Sequence, residues 1–135
     1  MSSSQSNVEI ASQLLSTPPE QFDAKVLAER WLTDDFTLRY PGQPPIPFAK
    51  LWRGRAGFVE FMTTIYGAVN IERMDIGPCE GGGDSVFVSG TTYGKVIKTG
   101  KSYRSEWLLV WTFRDGRIAK MVEYHDTQAI AAAFS

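Results

Sequence analysis

Hydrophobic positions follow a helical period in the first part of the chain and a strand period in the second. Three segments place apolar residues three and four positions apart, which predicts amphipathic helices over residues 6–15, 20–31 and 56–67. Residues 36–40 alternate apolar and polar side chains, a pattern typical of a strand. The proline-rich residues 41–48 are predicted to form a loop.

The second half is predicted to be a meander of strands. Four apolar segments are separated by glycine-containing turns, at residues 69–77, 85–97, 102–113 and 118–125. Asp115-Gly116 lies between two of them and is the strongest short hairpin signal in the chain. A last helix is predicted over 127–134, with Asp126 at its N-cap. Helices followed by consecutive strands indicate an α+β fold, with helices packed on one face of a curved antiparallel sheet.

Length and composition are those of one folded unit. The 135 residues are predicted to form a single domain in which residues 1–6 are flexible. A net charge of −1, with both signs mixed along the chain, argues against nucleic acid or an anionic membrane as a partner. The polar N-terminus predicts neither a signal peptide nor a membrane anchor. Because Cys79 is the only cysteine, a reducing compartment is expected, which favours the cytoplasm.

A two-residue turn at Asp115-Gly116 predicts which side chains share a face of the sheet. Counting outward from the turn places Glu106 opposite His125, with Glu123 on the same face. A similar count from the preceding glycine turn places Tyr93 opposite Glu106. A slip of one residue would reverse every such assignment.

On this count, four polar residues gather at one end of an aliphatic face, and the opposite face is aromatic and apolar along its length. The four are Tyr93, Glu106, Glu123 and His125. A polar cluster in apolar surroundings is typical of a pocket for an apolar small molecule. Two half-buried faces also indicate that one of them meets a second subunit, so a homodimer through the sheet is expected.

The chain resembles the SnoaL-like polyketide cyclase group. This group belongs to the nuclear transport factor 2-like superfamily, with ketosteroid isomerase and limonene epoxide hydrolase. The resemblance covers nearly the whole chain and rests on the helical N-terminal third, "FTLRYPGQPPIPFAKLWRGRAGFVEFM", the "DGRI" hairpin and "EYHDTQAIAAAF" at the end. It implies a cone-shaped α+β barrel whose strongly bent sheet surrounds an apolar pocket. It also implies a sheet-to-sheet dimer and no cofactor.

The resemblance also suggests site residues. The stretch "DGRIAKMVEYHD" is similar to the final strand of limonene epoxide hydrolase and places Glu123 where that enzyme has its carboxylate base. The arginine and second aspartate of that enzyme have no counterpart in "VSGTTYGK", which argues against epoxide hydrolysis. SnoaL-like cyclases have a pocket histidine and a carboxylate near the C-terminal strand, which favours Glu123 and His125.

Four residues are candidate catalytic groups. Glu123 is the candidate base, His125 and Glu106 would assist it, and Asp126 is a secondary candidate because helix capping is its favoured role. Each has a structural alternative: a surface ion pair for Glu123 and Glu106, and a strand-end histidine bonded to backbone for His125. With a single histidine and a distant cysteine, no metal site is expected.

The candidate substrate-binding residues are aromatic or apolar: Tyr40, Tyr93, Trp31, Trp52, Phe61 and Met121. Tyr40 or Tyr93 is the candidate donor of a hydrogen bond to an enolate oxygen. Aromatic residues at these spacings also occur as ordinary core.

Two classes of function remain open. The first is a cofactor-independent isomerase, cyclase or hydrolase that uses carboxylate acid–base chemistry on an apolar, ring-containing substrate. The second is a non-catalytic ligand-binding or dimerisation domain whose pocket is filled by side chains. One fold hosts many functions, so fold alone does not separate the two.

Overall fold

Four α-helices and a seven-stranded sheet make up the computed structural model, which describes residues 6–135. The helices are α1 (Asn7–Leu15), α2 (Ala24–Trp31), α3 (Gly54–Ala68) and α4 (Thr127–Phe134), with a 3-10 turn at Pro19–Gln21. The strands are β1 (Leu32–Arg39), β2 (Leu51–Arg53), β3 (Val69–Ile76), β4 (Glu80–Gly82), β5 (Ser85–Val96), β6 (Ser102–Arg114) and β7 (Arg117–His125). Within the described residues, no helix is long and apolar enough to cross a membrane.

The strands form one mixed sheet in the order β2-β1-β7-β6-β5-β3, and β4 pairs with β5. β1 and β7 are parallel neighbours, whereas the other pairs are antiparallel. The sheet is strongly curled but not closed. The α+β prediction is therefore confirmed, with an open curled sheet where a barrel was expected.

The helices cover one face of the sheet, called here the inner face. Alternate side chains of β6 lie on this face, point toward the helices and are almost fully buried, namely Trp107, Leu109, Trp111 and Phe113. Phe36 of β1 meets Phe58 of α3 edge to face, with 5.9 Å between ring centroids. The core thus lies between α3 and the concave side of the sheet.

Side-chain caps fix two of the helix ends that the sequence indicated. The Ser6 hydroxyl accepts a hydrogen bond from the Glu9 N–H, and the Glu9 carboxylate accepts one from the Ser6 N–H. Asp126 caps α4 by accepting from the Ala129 N–H at 3.1 Å, as predicted. Of the six residues expected to be flexible, Ser6 is therefore a structured cap, and residues 1–5 lie outside the described part of the chain.

A β-bulge in β7 changes the register that was predicted from the Asp115-Gly116 turn. Both turn residues have positive φ, 53° and 77°, and Phe113 pairs with Ile118 as expected. Beyond that pair, Ala119 is an extra residue, so that Trp107, and not Glu106, pairs with His125. The predicted pairing of Glu106 with His125 is wrong.

The β5–β6 hairpin has a longer connection than predicted, over residues 97–101. Tyr93 pairs with Arg104, and Thr91 pairs with Glu106, which is a shift of two residues from the predicted register. A shift of two residues keeps each side chain on its face, whereas the shift of one in β7 exchanges the faces. Tyr93 and Glu106 therefore lie on the outer face, away from the helices.

The Trp107 ring packs directly over Gly90 of β5, where the absence of a side chain leaves room for it. A Cβ atom at this position would overlap the Trp107 indole and the backbone carbonyl of Asp75. Gly82 of β4 is a matched position, because a Cβ there would meet no atom within 4 Å.

Gly90→Ala is expected to lower the free energy of unfolding by about 1–3 kcal/mol, because the added methyl forces Trp107 or the β3 backbone to move. Gly82→Ala is the control and is expected to change stability by less than about 0.5 kcal/mol. Urea unfolding followed by tryptophan fluorescence measures both. Equal effects of the two substitutions would contradict the packing described for Trp107.

Candidate active site

Glu123 and His125 form a hydrogen-bonded pair on the inner face of β7. The distance between Glu123 Oε1 and His125 Nε2 is 3.2 Å. Their side chains keep only 18% and 11% of their accessible surface, so the pair is largely withdrawn from water. The bulge at Ala119 is what turns both residues inward, because they then pair with the buried Leu109 and Trp107.

Aromatic rings surround the imidazole. The Tyr40 ring stacks on His125 with centroids 4.6 Å apart and an interplanar angle of 14°. The Trp107 ring lies 6.4 Å from the imidazole, and its Nε1–H donates to Thr92 Oγ1 at 2.8 Å. Tyr40 packs in turn on Phe48, at 5.1 Å. The plane of the imidazole is thus set by packing as well as by hydrogen bonds.

The Tyr40 hydroxyl has the properties of a neutral hydrogen-bond donor. Burial raises the pKa of this phenol well above its usual value, and the negative charge of Glu123 raises it further. Among residues 6–135, none forms a hydrogen bond with the hydroxyl. Tyr40 therefore stays protonated and can donate to a ligand.

Ser105 is part of this site, although the sequence did not indicate it. Its side chain is fully buried, and its Oγ lies 3.2 Å from His125 Nδ1. In the predicted register Ser105 fell on the face opposite His125, and the bulge brings the two together. A serine within a strand does not by itself indicate a functional site in the sequence.

The carboxylate of Asp126 serves the helix that follows. It accepts a hydrogen bond from the Ala129 N–H, while the Asp126 N–H donates to Ser105 Oγ at 3.0 Å. The capping role predicted for Asp126 is confirmed by this geometry.

Glu106 and Tyr93 do not join the Glu123–His125 pair, in contrast to the prediction. The Glu106 side chain is 72% exposed on the outer face and contacts Arg104 at 3.3 Å. Arg73 and Arg104 lie over the Tyr93 ring, 4.7 and 6.0 Å from its centroid. The cause is the shift of one residue in β7, which sends the two groups to opposite faces.

Trp31 and Trp52 lie in different surroundings. Trp31 lines a cleft of about 160 Å³ between α1 and α2, with the Arg30 guanidinium over its ring at 5.3 Å. Trp52 is buried, donates from Nε1 to the Phe48 carbonyl at 3.1 Å and contacts the Phe61 ring at 5.7 Å. Trp52 thus belongs to the aromatic packing near Tyr40, whereas Trp31 is a wall of the separate cleft.

The predicted walls of an apolar pocket are packed against one another. Tyr40, Phe61 and Met121 expose only 2%, 1% and 3% of their surface. Side chains that line an open cavity would keep more surface, so these residues form a core around the pair.

A groove of about 540 Å³ does reach the site at the end of β7. It is lined by Arg104, Glu106, Trp107, Leu108, Tyr124, His125 and Asp126.

The family follows from a match over most of the chain. A model of the SnoaL-like domain matches residues 21–121. The chain belongs to the SnoaL-like domain family. The resemblance stated from the sequence is thereby confirmed. No curated protein matches this SnoaL-like domain.

Solved structures with the same fold include three that cover this SnoaL-like domain almost fully. A nuclear transport factor 2-like protein from Burkholderia xenovorans LB400 is 23% identical with a TM-score of 0.82, covering 96% of this chain and 95% of its own. A protein from Bacillus subtilis, provisionally named an isomerase, is 22% identical with a TM-score of 0.76, covering 96% of each chain. A protein from Jannaschia sp. CCS1, provisionally named a SnoaL-like polyketide cyclase, is 17% identical with a TM-score of 0.75, covering 94% and 90%.

Two further features bear on what the SnoaL-like domain can bind. The buried Nε1–H of Trp111, on the inner face, has no hydrogen-bond partner among the described residues. Within the same residues, no group of three or more histidine, cysteine, aspartate or glutamate side chains is arranged to hold a metal ion. The groups gathered here are a carboxylate that can accept a proton, an imidazole, and a phenol that can donate a hydrogen bond.

Substitutions at Asp126 separate its capping role from a role for its charge. Asp126→Ala is expected to lower the free energy of unfolding by about 1 kcal/mol, because the Ala129 N–H loses its acceptor. Asp126→Asn is expected to retain stability within about 0.5 kcal/mol, since asparagine caps about as well. Urea unfolding measures both variants, and equal losses would contradict capping as the role of this side chain.

Proposed function

We propose that this SnoaL-like domain is a cofactor-independent acid–base catalyst of the isomerase or cyclase type. Its substrate is an apolar, ring-containing small molecule. The observation that supports this most strongly is the inward-facing Glu123–His125 pair, which is hydrogen-bonded and enclosed by aromatic rings. The names given to the Bacillus and Jannaschia relatives favour the same reaction class.

In the proposed reaction, Glu123 takes a proton from a carbon next to a carbonyl group. His125 holds Oε1 through its Nε2–H, which leaves the other carboxylate oxygen for the substrate. The C–H bonding electrons form the enolate, and the Tyr40 hydroxyl donates to the enolate oxygen. Return of the proton from Glu123 to a different carbon completes an isomerisation.

The groove at the end of β7 is the proposed route to the pair. Trp107, Leu108 and Tyr124 give it apolar walls, and His125 lies in its lining. The Tyr40 ring stacks on His125 and packs in turn against Phe61, so a bulky substrate must displace part of this packing. We therefore expect binding to be slow for large ligands and readily seen with small cyclic ketones.

The test uses exchange of the α-protons of β-tetralone in deuterium oxide, followed by proton NMR. Glu123→Gln is expected to slow the catalysed exchange by about 100-fold or more, because the amide cannot accept the proton. Tyr40→Phe is expected to slow it by about 10²-fold, the usual effect of removing one oxyanion donor. Glu72→Gln, on an exposed position of β3, is the matched control and is expected to leave the rate unchanged.

Circular dichroism of each variant checks that the fold is retained. Catalysed exchange by Glu123→Gln at the wild-type rate would refute Glu123 as the base. Loss of exchange in Glu72→Gln as well would show that the assay follows folding instead of proton abstraction.

A second candidate function is a non-catalytic domain that dimerises through its sheet. The packed interior favours it, and so does a strip of apolar residues on the outer face. We call these residues the outer strip: Phe87, Leu108, Val110, Val122 and Tyr124. Phe87, Leu108 and Tyr124 expose 41%, 39% and 44% of their surface in the isolated chain. A stable dimer typically buries about 800 Å² per partner, and such a strip is a fitting centre for that area.

Leu108→Lys is expected to convert the proposed dimer to a monomer, because it places a charge in the centre of the outer strip. Size-exclusion chromatography with light scattering at several concentrations measures the mass. Val26→Lys, at an equally apolar and 57% exposed position on α2, is the control and is expected to leave the mass unchanged. A wild-type monomer at all concentrations would rule out the dimer.

A further inference from the structure

Three polar atoms converge on the hydroxyl of Ser105. Its Oγ lies 3.2 Å from His125 Nδ1, 3.2 Å from the Glu106 carbonyl oxygen and 3.0 Å from the Asp126 backbone nitrogen. Ser105 has no exposed surface. Water therefore cannot reach this hydroxyl, and its hydrogen bonds are made within the protein.

A serine hydroxyl has one proton and two acceptor lone pairs. The Asp126 N–H can only donate, so it occupies one lone pair at all times. The single proton of Ser105 is left with two possible acceptors, His125 Nδ1 and the Glu106 carbonyl. The hydroxyl can satisfy only one of them at a time.

The two orientations correspond to two forms of the imidazole. When the ring is neutral and its Nε2–H donates to Glu123, Nδ1 has a free lone pair and accepts from Ser105. When the ring is charged, Nδ1–H donates to Ser105, whose proton then turns to the Glu106 carbonyl. In both forms every polar hydrogen of His125 and Ser105 has a partner, which matters because an unpaired buried group is costly.

We propose that Ser105 is a positioning residue for the Glu123–His125 pair. Its hydroxyl donates to Nδ1 of the neutral imidazole, so that the Nε2–H is presented to Glu123, and it turns to the Glu106 carbonyl when the ring is charged. This deepens the function proposed above and rests on it for its role in catalysis. Ser105 is not a nucleophile in this scheme, because it is fully buried and its oxygen already has three partners.

Nitrogen NMR of the side chain tests the hydrogen bond directly, since His125 is the only histidine in the protein. At a pH where the ring is neutral, the wild type is expected to show a protonated Nε2 and a hydrogen-bonded, unprotonated Nδ1. In Ser105→Ala the Nδ1 resonance is expected to move toward that of an unbonded imidazole nitrogen. Ser105→Cys keeps a weak donor and is expected to lie between them.

Two results in this spectrum would overturn the proposal. One is a protonated Nδ1 in the neutral wild-type ring, which would mean that Ser105 always donates to Glu106. The other is an Nδ1 resonance that Ser105→Ala leaves unchanged. Ser102→Ala, at an exposed position of the same strand, is the control and is expected to have no effect. If Ser105→Ala fails to fold, Ser105→Cys supplies the comparison.

The exchange assay with β-tetralone tests the role in catalysis. Ser105→Ala is expected to lower kcat by about tenfold with KM changed by less than about twofold, because the carboxylate is less well oriented while the walls of the site are unchanged. Ser105→Cys is expected to recover part of kcat. An unchanged kcat in Ser105→Ala would contradict positioning. If Glu123→Gln itself has no effect, the proposed function fails, and the nitrogen spectrum still decides whether the Ser105 hydrogen bond exists.

Discussion

The extra residue at Ala119 determines which side chains of β7 face the helices. Side chains alternate along a strand, so one inserted residue moves everything beyond it to the other face. Here it turns Glu123 and His125 toward the helices and pairs them with Leu109 and Trp107. Without the bulge the pair would lie on the outer face, beside Glu106. The contacts with Tyr40 and Ser105 all depend on this shift.

The surroundings of the pair favour a defined arrangement of protons. Tyr40 stacks on the imidazole, while Ser105 and Glu123 hydrogen-bond its two nitrogens. Such a ring has little freedom to rotate, and preorganised groups of this kind need little rearrangement during proton transfer. The same packing leaves little room for a large ligand in the interior, which favours dimerisation through the sheet as the alternative to catalysis.

Several local features were predictable because short segments determine them. The Asp115-Gly116 turn and the Asp126 cap follow from the preferences of those residues alone. The bulge did not follow from the turn, since a turn fixes register only for the adjacent pairs. Ile118 and Met121 both face the helices although they are three residues apart, a spacing that a regular strand cannot place on one face. The sequence does not reveal this, because Val122, next to Met121 and on the other face, is also apolar. The position of Trp31 depends on how α1 packs on α2, and the spacing of apolar residues within each helix does not predict that packing.

The site described above requires His125 to lie on the inner face, against Tyr40 and Trp107. Nuclear Overhauser contacts from the ring protons of this single histidine measure its position. The structure predicts strong contacts to the Tyr40 ring, whose centroid is 4.6 Å away, and weaker ones to Trp107 at 6.4 Å. Contacts to the outer-face side chains of Glu106 and Leu108, with none to Tyr40, would contradict the register and the site built on it.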